Sequence, residues 1–90
     1  MEMVNVGFGN AVASSRVVAV VAADSAPVRR LIEAADQDHR LVDATKGRKT
    51  RSVVVTDSNH VLISHLTCQK LARKVAGGSL PTEEADDRAR

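Results

Sequence analysis

The stretch Arg16-Val17-Val18-Ala19-Val20-Val21-Ala22-Ala23-Asp24-Ser25-Ala26-Pro27-Val28-Arg29-Arg30-Leu31-Ile32 decides the fold class. Its first part, 17–21, is a β-branched run too short for an ordinary helix and apolar on both faces, and it predicts a central strand. Its second part changes period. Asp24-Ser25 supplies a capping side chain, and Pro27 falls in the first turn, where a proline is tolerated. Val28, Leu31, Ile32 and Ala35 then recur at i, i+3, i+4 and i+7, one face of an amphipathic helix that should end near His39.

Upstream, residues 3–6 alternate and read as a short strand, broken by Gly7-Phe8-Gly9-Asn10. Downstream, residues 41–45 and 51–56 read as two strands, joined by Lys46-Gly47-Arg48-Lys49-Thr50 as a hairpin loop. Asp57-Ser58-Asn59 is a turn cluster, and residues 61–66 are a further strand. Thr67 caps a last helix whose Cys68, Leu71, Ala72 and Val75 repeat the helical spacing, and Gly77 stops it. The expected order is β-β-α-β-β-β-α: a small α+β domain with two helices and a largely antiparallel sheet.

Ninety residues allow one domain. Apolar residues make up 43% of the chain and charged residues 27%, as in a soluble globular protein, yet there is one Phe and no Tyr or Trp. Such a core is thin, so subunit contacts are expected to complete it. The longest apolar run, 17–23, is too short to span a membrane, and no secretory signal is expected. The single Cys68 rules out an internal disulfide and fits a reducing cytosol. Charge is unevenly distributed. Glu83, Glu84, Asp86 and Asp87 outnumber Arg88 and Arg90 beyond Gly77, leaving the first 76 residues with a balance of +4. The chain therefore divides into a basic domain, 1–76, and an acidic tail, 77–90, expected to be disordered.

Four cations, Lys46, Arg48, Lys49 and Arg51, crowd one loop, with no acid between Asp43 and Asp57 to neutralise them. Two readings stand. The loop presents guanidinium and ammonium groups to phosphate, or its charges simply guard a sheet edge against aggregation. Arg16 either extends the same basic surface or is an ordinary strand-end charge. Gly7-Phe8-Gly9 lacks the third glycine of a dinucleotide fingerprint and the ending of a P-loop. It reads as a turn of close backbone approach, with Phe8 an anchor in the core or at a subunit contact. His60, His65 and Cys68 do not share a face and are not read as a metal site. Asp57, Ser58 and His60 are neighbours in one turn and more simply cap it than form a triad. No cofactor, small-molecule substrate or enzymatic activity is read from the sequence. Lys70, Arg73 and Lys74 suit the C-terminal end of their helix. With Phe8 the only aromatic, single-strand stacking surfaces are disfavoured, and duplex backbone binding is the better fit. Four or five cations per protomer give modest affinity, which points to a homo-oligomer carrying repeated basic loops.

Motif by motif, the chain resembles the bacterial RemA-like family. The resemblance lies in 5–10 with 16–21, in 25–32, in 41–45 with 47–51, and in 57–58 with 60–64, and spans roughly residues 4–71. It implies a DNA-binding transcriptional regulator of extracellular-matrix and biofilm genes, cytoplasmic and nucleoid-associated, that forms ring-like homo-oligomers bound to or bending duplex DNA. The family's DNA-contacting arginines fall here on Arg16, Arg48 and the next residue, which is Lys49 where the family typically has Arg. Lys46 stands where the family usually has an aromatic. The leading expectation is therefore a homo-oligomeric duplex-DNA regulator contacting the backbone and minor groove through Lys46, Arg48, Lys49 and Arg51, with Arg16 in support. The alternative is a scaffold whose basic loop binds an acidic protein.

Overall fold

A computed structural model of the protein describes residues 2–77. The acidic tail expected beyond Gly77 lies outside the described residues. The chain opens with a hairpin of β1 (Met3–Gly7) and β2 (Asn10–Ala13), paired from Met3↔Ala13 to Gly7↔Asn10. Its turn is two residues long. Phe8 and Gly9 have φ of 51° and 82°, the double positive φ of a turn whose twist matches the strands it joins. Asn10 Nδ2 donates to Gly7 O at 2.9 Å and closes it. β2 is an element the sequence reading omits: Ala11-Val12-Ala13 is short, and only pairing with β1 makes it a strand.

A single 3₁₀ turn, Ser14–Arg16, leads into β3 (Val17–Ala22). Helix α1 (Ala26–Gln37) follows, capped as expected by Ser25 Oγ, which accepts from the Val28 N–H at 3.3 Å. Then come β4 (Leu41–Asp43), β5 (Ser52–Thr56), β6 (Val61–Ser64) and α2 (Cys68–Val75). Thr67 Oγ1 caps α2 by accepting from the Lys70 N–H, and Gly77 follows the helix with φ of 70°. The last four strands form one sheet in the order β3-β5-β6-β4.

That sheet is covered on both faces. On one, α1 lays Ala35, Val28, Leu31 and Ile32 over Val53, Val61 and Ile63. On the other, α2 and the hairpin bring Leu71 and Val6 onto Val54, Leu62 and Ala44. Each fully buried Val or Leu contributes about 1.5–3 kcal/mol, which lets a core built without aromatics close. The buried serine hydroxyls are satisfied: Ser52 Oγ donates to Leu66 O at 2.7 Å, and Ser64 Oγ donates to Val6 O at 2.6 Å. The second bond ties the hairpin to the main sheet.

The fold is α+β with a largely antiparallel sheet, as expected, but two placements differ. Residues 17–21 form an edge strand, not a central one. They are apolar on both sides because both faces of the sheet are covered, not because strands flank them. A bulge between Val17 and Ala19 turns Val18 outward, 67% exposed. The strands of 41–45 and 51–56 are likewise no hairpin. β6 lies between them, parallel to β4 and antiparallel to β5. The basic loop is therefore a crossover that spans two strand spacings, about 10 Å. Periodicity identifies such strands but carries no information on which strand lies beside which.

Candidate functional site

Both ends of the basic loop are fixed to the end of β6. The Ala44 N–H donates to Ile63 O at 2.9 Å, and the Arg51 N–H donates to Ser64 O at 2.8 Å. Asp43 Oδ1 accepts from the hydroxyl of buried Thr45 at 2.6 Å and from its N–H at 2.8 Å. Those bonds, the hydroxyl's first, hold the Asp43 carboxyl below its ordinary pKa. The Arg48 N–H then donates to Thr45 O at 3.0 Å across a turn in which Lys46 and Gly47 have φ of 51° and 82°. This is the same residue-then-glycine, positive-φ chemistry as Phe8-Gly9. The two turns meet.

Where they meet, Phe8 is the centre. Its ring packs on His65 with centroids 4.8 Å apart at 38°. Lys46 Nζ and Arg48 Cζ each lie over the ring at 5.6 Å from its centroid. Each such contact is worth about 0.5–1 kcal/mol at an exposed site. The ring's negative face offsets the repulsion between two neighbouring cations. Phe8 remains 43% exposed, so this cluster is presented, not buried. Gly7 lets the turn come this close: a Cβ there would meet His65 Cε1 at 2.9 Å and Ala44 O at 3.0 Å. The expected close backbone approach is present, but Phe8 is not in the core: it lies at the surface and anchors the hairpin tip to the loop. His65 Nδ1 is buried without a hydrogen-bond partner.

The other two loop cations point elsewhere. Lys49 and Arg51 line a groove of about 730 Å³ with an apolar floor of Ala22, Ala23 and Ile32, and Arg29 of α1 joins them. Asp24 also lines it. Cys68 lies in the same groove, its thiol donating to Val20 O at 3.5 Å and pushed above its ordinary pKa by burial. Arg16 is not with the loop. It pairs with Asp57 at 2.9 Å, at the opposite end of β5 from Arg51, roughly 20 Å away at about 3.4 Å per residue. Within one protomer, the five expected contact residues thus divide into Lys46 with Arg48, Lys49 with Arg51, and Arg16 alone.

Sequence reasoning passes over Phe8 and His65 as partners of the cations, and over Arg29 as a neighbour of Lys49. The available signal was the lone aromatic placed before a glycine, the same arrangement as Lys46-Gly47. In the turn after β5, Ser58 Oγ bonds His60 Nδ1 at 2.8 Å and Thr56 Oγ1 at 2.9 Å, while Asp57 turns away to Arg16. The three residues close a turn. Among the described residues, no three His, Cys, Asp or Glu side chains gather as metal ligands, and no helix is long and apolar enough to cross a membrane.

Residues 3–75 match the family described as RemA-like, extracellular matrix regulatory protein A-like. A protein of Nitratidesulfovibrio vulgaris (strain Miyazaki F) is 55% identical over 73 residues, which is 81% of this chain and 83% of that relative. One of Dictyoglomus thermophilum is 47% identical over 83 residues, 92% of this chain and 98% of the relative. One of Geobacillus thermodenitrificans is 42% identical over 84 residues, 93% and 97% of the two chains. All three are named, in general terms, as regulatory proteins.

Proposed function

The chain belongs to the RemA-like family, and from that premise we propose that it regulates transcription by binding duplex DNA as a homo-oligomeric ring. The observation that carries the reading is the crossover loop. Its four cations have no ion pair with any described residue, and both its ends are fixed to β6. A loop ordered before contact loses little entropy on meeting phosphates. Lys46 and Arg48, held over Phe8, meet one strand of the backbone or a narrow minor groove, while Lys49 and Arg51 extend the contact along the groove. Arg48 keeps the planar fork suited to phosphate, and Lys49 contributes a point charge. The family's description makes extracellular-matrix genes the natural targets. The names of the family and of its relatives assign regulation and no reaction.

One protomer offers about four contacts, for a log–log salt slope of roughly −4, and a ring multiplies that. Arg16 lies too far away to share a phosphate cluster with its own loop, so it contacts a separate stretch of backbone. It must also leave Asp57, a surface pair worth about 0–1 kcal/mol. The test is fluorescence anisotropy of a labelled duplex across salt, beside sedimentation of the same samples. Arg48→Gln with Lys49→Gln is expected to abolish binding and leave the oligomer intact. Asp57→Asn, which frees Arg16, is expected to tighten binding modestly. Retained binding by the double variant refutes the assignment. Indifference of the unaltered protein to DNA at low salt would turn the search to an acidic protein partner.

A further inference from the structure

A second cationic surface lies away from the loop. An open groove of about 920 Å³ runs between β1 and α2, lined by Met3, Val4, Lys70, Arg73 and Lys74, with Gly77 also lining it. The three cations recur at i, i+3 and i+4, so they share one face of α2. The helix contains no acid, and none of the three has an ion pair with a described residue. Glu2 is the one acid among the lining residues. Helix-dipole compensation accounts for cations near the last turn, but Lys70 lies in the first turn, where a positive charge is unfavourable unless a partner offsets it. Beside them Met3 is 60% exposed, an apolar spot on the same groove.

The chain itself supplies the complement. From Gly77 it continues through Leu80 to Glu83, Glu84, Asp86 and Asp87. Five residues separate Gly77 from Glu83, six Cα-to-Cα steps with a reach of up to about 20 Å. The eight residues of α2 are about 12 Å long. The acidic run can therefore lie back along the whole helix, with Leu80 early enough to meet Met3. Its carboxylates begin far enough from the helix end to clear the negative C-terminus and meet Arg73 and Lys70.

We propose that the acidic segment 83–87 docks in the groove between β1 and α2 of its own chain, against Lys70, Arg73 and Lys74. The tether keeps the segment's effective concentration high, so a weak contact is populated. Because the charges are exposed, the contact loosens once salt brings the screening length below the pair spacing, about 3 Å at 1 M.

The test is zero-length carbodiimide crosslinking of the full chain without DNA, read by peptide mass spectrometry on mixed ¹⁴N and ¹⁵N protein. Because DNA is absent, the result stands apart from whether the loop binds it. Lys70 or Lys74 is expected to join Glu83, Glu84, Asp86 or Asp87 within one isotopic label, and the product is lost in high salt. Crosslinks of these lysines to Glu2 calibrate the reagent. If the acidic segment joins only Lys46 or Lys49, joins a differently labelled chain, or joins nothing while Glu2 reacts, the proposal is overturned.

Discussion

Replacing Gly7 by Ala tests whether the hairpin tip and the basic loop are held together by contact. Gly7 has φ of 127°, a conformation that side-chain-bearing residues rarely adopt, and forcing a residue there costs about 1–3 kcal/mol. The added Cβ would also lie 2.9 Å from His65 Cε1, 3.0 Å from His65 Nδ1 and 3.0 Å from Ala44 O. Two of those atoms belong to a ring packed on Phe8 and the third to backbone at the start of the loop, so little can yield. Overpacking of this kind costs a further ~1–3 kcal/mol. The expected loss is about 2–6 kcal/mol, at roughly 4–8 °C of Tm per kcal/mol for a domain of this size. Gly9→Ala is the matched control. Gly9 also has positive φ, at 82°, but a Cβ there meets nothing within 4 Å. It bears the conformational cost alone, about 1–2 kcal/mol. The assay is urea unfolding followed by far-ultraviolet circular dichroism, with both variants at one protein concentration, because any self-association would shift apparent stability by mass action. Equal losses in the two variants would refute the argument, because the close approach would then contribute nothing.

Three further outcomes are expected. Leu71→Ala removes a fully buried side chain from beneath α2 and should cost about 3–5 kcal/mol in the same unfolding experiment. The lowered pKa of Asp43 means that its contribution to stability is complete above the unfolded value of about 3.9 and is lost as pH falls through the folded value; Asp43→Asn keeps an acceptor for Thr45 and should flatten that part of the acid-unfolding profile. The raised pKa of Cys68 should make its alkylation by iodoacetamide slower than that of a free cysteine peptide at pH 8, with a rate still climbing at higher pH.

The helices were legible because each carries its own signals. Ser25 with Pro27 and Thr67 with Gly77 are local chemistry, and the apolar faces led by Leu31 and Leu71 follow from spacing alone. The cations at 46–51 were legible as composition, and Gly47 as the residue needing positive φ. What lay between the elements was not. Whether β5 pairs with β4 or with β6 depends on which strand end the chain re-enters, a long-range choice without a local mark. The Phe8–Lys46–Arg48 cluster joins residues about forty positions apart, through a hairpin whose second strand, β2, has too little pattern to announce itself. Arg16 was correctly placed just ahead of a strand, but its distance from the loop required the pairing of β3 with β5.

The anchoring of the basic loop also sets a sequence in time. Residues 44–51 leave the ribosome before Ile63 and Ser64, the two acceptors that fix the loop's ends, and well before α2 covers that side of the sheet. A nascent chain therefore carries its cations as an unshaped basic segment until the last third has emerged. The shaped cationic surface, with Phe8 set between Lys46, Arg48 and His65, requires β6, which lies between β4 and β5 and is the strand on which β4 pairs. Chains cut short before β6 would carry the charge and lack the form.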